Sequence, residues 1–168
     1  GGIMERYERD DRGAYLLAQW WAEITVDGSR DHLFVPPASL GKALAYFESS
    51  DVNLIFELDK RGIWFAMWFT PLFSGLSATL WVRKDYRGSH AMLRAVERGY
   101  DIGLAAVPVL VGVTRQELLR VHRRLGYNIV GSVPHLIGDK AMWIVALTRE
   151  GWQARKARHI QRQEAVIG

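Results

Sequence analysis

The chain has 168 residues, 49% of them apolar and 24% charged, which is the balance of a soluble globular fold of one domain and excludes a disordered chain. It has no cysteine, so a disulfide scaffold, a thiolate metal site and a cysteine nucleophile are all excluded. A net charge of +4 favours an anionic partner, whether a phosphorylated cofactor, a membrane surface or nucleic acid.

Gly1-Gly2-Ile3 reads as an addition ahead of a start at Met4, and no leader pattern precedes the first helical run, so a cytoplasmic location is the default. Leu17, Trp20, Trp21 and Ile24 recur at helical spacing and predict a first helix over residues 14–24. Asp27-Gly28-Ser29 breaks it, Pro36-Pro37 marks a boundary, and Ser39 is placed to cap a second helix reaching about Phe47.

The pattern changes from Val52. The runs NLIFEL, GIWFAMWF and LSATLWVR are rich in β-branched and aromatic residues and are separated by turn-forming stretches, which predicts three consecutive antiparallel strands. Gly62 to Leu76 is the most apolar stretch, but Thr70-Pro71 interrupts it and it falls short of the roughly 20 residues a spanning helix needs, so it reads as buried strand and no membrane partner is expected. Leu93, Val96 and Tyr100 then predict a helix over residues 89–105. VPVLVGV (107–113) has the continuous apolar character of a strand covered on both faces. A helix over residues 116–125 stops at Gly126. Two strands follow, over 127–133 and 141–147 with a loop from His135 to Lys140, and a basic helical tail begins near Glu150.

The order predicts a mixed α/β (α+β) fold with a mainly antiparallel twisted sheet. One parallel crossover lies at its centre, joining the strand that ends at Val82 to the strand that starts near Val107. KDYRGSHAM (84–92) occupies the first turn of that crossover, where α/β sheets tend to bind ligands.

Three stretches carry a likeness: LWVRKDYRGSHAMLRAVERG (80–99), VPVLVGVT (107–114) and RVHRRLGYNIVG (120–131). Strand, Arg-Gly turn, helix, strand, and a helix ending Leu-Gly-aromatic together resemble the Gcn5-related N-acetyltransferase superfamily over residues 51–149. The resemblance implies an acyl-CoA N-acyltransferase-like fold with a splayed central strand pair in a single domain, 1–149, followed by the tail 150–168. It also implies acetyl-CoA as cofactor and a primary amine, small molecule or protein, as acceptor.

In such a turn, backbone N–H groups at a helix N-terminus and the positive end of the helix dipole receive a pyrophosphate. The family repeats glycine at alternate positions after the Arg-Gly pair, whereas His90 and Met92 stand there in this chain. Gly88 is therefore expected to supply the turn alone, Ser89 to cap a helix starting at His90, and the amides of His90, Ala91 and Met92 to face the phosphates. Arg87 is the side-chain candidate for the same ligand. Arg83 and Lys84 before the helix, and Arg120, Arg123 and Arg124 on the later one, are further cations in reach. By resemblance, Trp81 and Val82 line the pantetheine or acetyl carbonyl, and Pro108, which has no N–H, suits an interrupted ladder.

His122 stands where many members carry a tyrosine that returns a proton to the leaving thiolate, and an imidazolium has the chemistry for it. Its bland alternative is a satisfied histidine on the apolar face with Leu118 and Leu125. Glu57, with Asp59 beside it, is the candidate base toward the acceptor ammonium, and His135 is a further substrate-side candidate. No metal-ligand spacing is visible. With no cysteine to carry an acyl group, direct attack of the amine in a ternary complex is the expected route. Two other classes compete. One is a catalytically silent acyl-CoA-binding protein of the same fold. The other is a nucleic-acid-binding module using Arg149, Arg155, Lys156, Arg158 and Arg162, although the tail reads better as a solvated helix or as a contact between the copies of a homodimer.

Overall fold

A computed structural model describes residues 2–30, 39–49 and 53–167. The Pro36-Pro37 boundary and the change of pattern at Val52 lie outside them. Within them run strand β1 (Ile3–Arg6), helix α1 (Asp11–Val26), helix α2 (Leu40–Ser49), strands β2 (Asn53–Asp59), β3 (Gly62–Leu72) and β4 (Gly75–Val82), and helix α3 (His90–Ala106). Strand β5 (Val109–Thr114), helix α4 (Leu119–Arg124), strands β6 (Asn128–Ile137) and β7 (Lys140–Thr148), and helix α5 (Arg149–Ile167) complete the order. Among the described residues, no helix is long and apolar enough to cross a membrane.

The seven strands form one sheet in the order β1-β2-β3-β4-β5-β7-β6. Two compact units divide the chain, residues 1–71 with 78–100 and residues 72–77 with 101–168, and β4 contributes to both.

In the first unit, Asp10 caps α1 by accepting from the amide of Gly13 at 2.8 Å, so the helix starts three residues earlier than its apolar spacing predicts. Ser39 caps α2 by accepting from the amide of Lys42 at 3.2 Å. Trp20 packs edge-on to Trp68, Phe56 and Phe47 with ring centroids 5.4 to 6.0 Å apart, each pair contributing about 0.5–1.5 kcal/mol beyond the area it buries. Ile63 to Phe69 of β3 are all buried, which is why that run shows no polar alternation. The sequence pattern misses β1, four residues with no apolar face of their own, which pair antiparallel with β2 from Ile3↔Leu58 to Arg6↔Ile55.

In the second unit, the parallel ladder joins Leu76 to Leu110 and Ser77 to Val111, while β5 and β6 both pair antiparallel with β7. A β-carbon on Gly75 would lie 2.7 Å from the Val109 carbonyl oxygen and 2.8 Å from its Cγ1. Backbone cannot yield there without opening the ladder, so Gly75→Ala is expected to cost about 1–3 kcal/mol in urea unfolding; a loss under about 0.5 kcal/mol would mean the strands shift freely.

The loop expected from His135 to Lys140 is shorter than that. Strand β6 runs on to Ile137, with His135 at φ 58 in an irregular stretch of the register between Val133 and Ile137, and Gly138-Asp139 make the turn. The helix expected over 116–125 is divided into a 3₁₀ turn (Gln116–Leu118) and the short α4.

The tail is packed along its first half. Trp152 is buried and donates through Nε1 to Asp101 at 2.8 Å, and Lys156 reaches the same carboxylate at 2.6 Å. Arg149 donates to the Leu104 carbonyl at 2.6 Å and Arg155 to that of Arg124 at 3.0 Å. Three of the five cations proposed for a nucleic-acid surface are thus spent holding α5 in place.

Candidate functional site

The turn between β4 and α3 belongs wholly to the first unit. After Val82 a 3₁₀ turn (Lys84–Tyr86) leads to Gly88, whose φ of 75 lies in the left-handed region that favours glycine, and His90 begins the helix. Ser89 Oγ donates to the Tyr86 carbonyl at 2.6 Å and accepts from the Met92 amide at 3.1 Å. One glycine and one capped helix therefore make the turn, as the missing glycines predict. The cap also corrects an expectation. The Met92 amide is spent on Ser89, which leaves the first-turn N–H groups of His90 and Ala91 to receive an anion.

Arg87 is half exposed and held on the strand side of the turn. Its Nε donates to the Val82 carbonyl at 3.0 Å, and its Nη2 lies 3.8 Å from Asp27 Oδ2. In the sequence Asp27 marks only a chain break, yet it is a fixed point of this region. One carboxylate oxygen accepts from the Ser29 amide at 2.8 Å and the other from the indole of Trp81 at 3.0 Å. Trp81 and Val82 are both buried at the end of β4. Spacing carries no signal for this link, because Asp27 and Trp81 lie 54 residues apart.

Arg83 is no phosphate ligand in this structure. Its side chain is 10% exposed and donates to Asp85 Oδ1 at 2.8 Å, to Asp59 Oδ2 at 2.7 Å and to the Ile63 carbonyl at 3.4 Å, while Tyr86 donates its hydroxyl to Asp59 at 2.8 Å. Burial would raise the pKa of Asp59, but the hydrogen bonds from Arg83 and Tyr86 outweigh it and hold the carboxyl below its ordinary range. The bond from Arg83 lowers Asp85 as well, and Asp59 in turn pushes the Tyr86 phenol up. A carboxylate held this acidic and this fully bonded makes a poor general base, which removes Asp59 from that role. Glu57 is 2% exposed; its Oε1 accepts from Arg98 Nε at 2.8 Å and from Nη2, while its Oε2 is buried without a partner.

His122 lies on α4 of the second unit. It is neither in the core nor free: partly buried, it packs edge-on to Tyr127 with centroids 5.1 Å apart, and its Nδ1 lies 2.9 Å from the Leu118 carbonyl. A carbonyl only accepts, so in this contact Nδ1 is the donor. Leu118 is 40% exposed, whereas Leu119 and Leu125 are buried, so the apolar face expected at Leu118 is taken by Leu119 at the start of the helix and holds at its end. Gly126, at φ 97, ends the helix and turns the chain to Tyr127. Arg120, Arg123 and Arg124 are exposed, and His135 is exposed on β6.

No family model matches this sequence, and no curated protein matches it. Solved structures do match it in three dimensions. A spermidine N-acetyltransferase SpeG variant from Vibrio cholerae superimposes with a TM-score of 0.73 at 9% identity, over 92% of this chain and 99% of that one. The ribosomal-protein-S5-alanine acetyltransferase of Vibrio fischeri gives 0.66 at 13% identity, over 90% and 98%. YncA of Salmonella typhimurium, solved with its cofactor acetyl-CoA, gives 0.65 at 13% identity, over 87% and 94%.

Proposed function

We propose that this chain, whose fold is that of the Gcn5-related N-acetyltransferases, transfers an acetyl group from acetyl-CoA to a primary amine by direct attack. The observation that carries the reading is the turn after β4. Gly88 in the left-handed region brings the chain round, Ser89 caps α3, and two amides are left at a positive helix end beside a cationic Arg87. That donor set suits a diphosphate.

Acetyl-CoA, when bound, supplies an activated acetyl group. In this reading His90 and Ala91 hold its diphosphate through their amides, with Arg87 alongside, and Trp81 and Val82 line its pantetheine arm. His122 would return a proton to the leaving sulfur. Glu57 is held by Arg98 through Oε1 and its other oxygen, Oε2, is buried, so an acceptor amine does not reach it, and deprotonation of the acceptor falls to solvent or to a group outside the assigned set. SpeG and the S5-alanine enzyme are named for acting on a polyamine and on a protein amine, which supports an amine acceptor and leaves its class open.

The test is thermal shift with acetyl-CoA, followed by thiol release across a panel of amines, on the native chain and on Ser89→Asp. Aspartate keeps the bond from the Met92 amide and its charge suits a helix N-terminus, but it cannot donate to the Tyr86 carbonyl, so the variant is expected to fold with a loss of about 0.5–1.5 kcal/mol. The same charge beside a diphosphate is expected to weaken acetyl-CoA by about tenfold or more, or about 1.4 kcal/mol. Equal affinity for both proteins would place the cofactor elsewhere, and no shift at millimolar acetyl-CoA would end the reading. Binding without thiol release from any amine would leave the silent acyl-CoA-binding alternative.

A further inference from the structure

Asp27 closes α1 as its C-terminal cap, and its side chain is 15% exposed. One carboxylate oxygen accepts from the Ser29 amide at 2.8 Å, and the other accepts from the Trp81 indole at 3.0 Å and lies 3.8 Å from Arg87 Nη2. Two neutral donors thus fix the carboxylate in place. Arg87 brings it a cation, and all of these residues belong to the first unit.

Arg87 is held far less firmly. Its side chain is 48% exposed, and at 3.8 Å its contact with Asp27 is an ion pair without a hydrogen bond, the kind that yields readily. Its Nε donates to the Val82 carbonyl at 3.0 Å while Nη2 faces Asp27, so the side-on edge of the guanidinium is turned to the protein. A guanidinium grips a phosphate best through two neighbouring nitrogens at once. Both such pairs, side-on and end-on, include Nη2. A phosphate that takes two bonds from Arg87 therefore takes them in competition with Asp27.

Resting on the assignment of the turn after β4 to acetyl-CoA, we infer that Asp27 is a positioning residue that competes with the cofactor's diphosphate for Arg87. It holds the arginine against the end of β4, yields it to a bound diphosphate and takes it back as coenzyme A leaves. The carboxylate thereby sets how tightly cofactor and product are held. The sign of its effect separates this role from packing. If Asp27 only braced the end of β4, its loss would loosen the turn and weaken binding. Competition gives the opposite, since Arg87 is released and a negative charge near a dianion is removed.

Calorimetry with coenzyme A tests this on the full native chain, Asp27→Asn, Arg87→Gln and the double variant. It is run at about 0.15 M salt, where exposed charges more than about 8 Å apart are largely screened. Asp27→Asn is expected to bind about fivefold tighter than the native chain, and Arg87→Gln about tenfold weaker. In the Arg87→Gln background, Asp27→Asn is expected to gain under about twofold, because the residue acts through Arg87. Urea unfolding is expected to show Asp27→Asn no more stable than the native chain, since asparagine keeps only one of the two side-chain oxygens, so the tighter binding does not come from a firmer fold. If Asp27→Asn does not fold, as judged by circular dichroism, Asp27→Ser, whose hydroxyl still accepts from the Ser29 amide, takes its place. Two unfolded variants would make Asp27 a structural residue and overturn the inference. Weaker or unchanged binding in the folded variant, or a fivefold gain that persists without Arg87, would overturn it as well. No binding of coenzyme A to the native chain would remove the cofactor assignment itself, and this role with it.

Discussion

Replacing Arg83 by methionine is expected to cost about 3 kcal/mol in urea unfolding, the lower end of what breaking a buried ion pair costs. Methionine fills much of the same volume, so the loss is electrostatic. It strands Asp59, whose side chain is 19% exposed, and frees the Ile63 carbonyl, while Asp85 at 43% exposure recovers water. Adding Asp59→Leu is expected to restore part of the loss, because the stranded charge goes with it. A loss below about 1 kcal/mol would mean the cluster is a surface pair in effect.

The same variant changes the response to acid. Asp59 and Asp85 sit below the ordinary aspartate value of 3.8 in the folded chain, so they contribute stability above that value and lose it as pH falls through their lowered values. The native protein should therefore lose stability steeply below about pH 4, and Arg83→Met should flatten that part of the curve. Since Arg83 also donates its backbone N–H to the Trp64 carbonyl at 2.8 Å, the cluster anchors the point where the 3₁₀ turn leaves β4. Weaker acetyl-CoA binding in the variant would follow from that looseness, not from a lost phosphate contact.

His122→Phe is expected to lower the rate of thiol release by about a hundredfold while leaving acetyl-CoA affinity within about twofold, the pattern of a lost general acid. Phenylalanine keeps the edge-on contact with Tyr127 and removes both ring nitrogens. The bond from Nδ1 to the Leu118 carbonyl fixes which nitrogen is available, so a variant that carries a proton only there should behave like phenylalanine. His122→Asn is one such control. An unchanged rate in His122→Phe would return the residue to a packing role. A rate lost together with stability would do the same, and unfolding curves for both variants separate the cases.

Much of the fold is legible in the chain because its signals are local. Leu17, Trp20, Trp21 and Ile24 mark a helix by spacing alone. Ser89 followed by an apolar-periodic run marks a capped start, and a lone Gly88 after arginine marks the turn. The misreadings also have physical causes. Strand β1 is exposed over most of its length and takes its conformation from pairing with β2, not from a pattern of its own. His135 looked like loop because nothing local announces a strand that passes through an irregular register.

The sequence by itself determined the order of elements from α1 onward, the single-glycine turn and its Ser89 cap, since each depends on residues within a few positions of one another. Only the tertiary structure decided how the charges are spent. Arg83 answers Asp59 across 24 residues, Trp81 answers Asp27 across 54, and Trp152 answers Asp101 across 51. A side chain's partner over such separations is set by where the backbone brings it, and no spacing rule reaches that far.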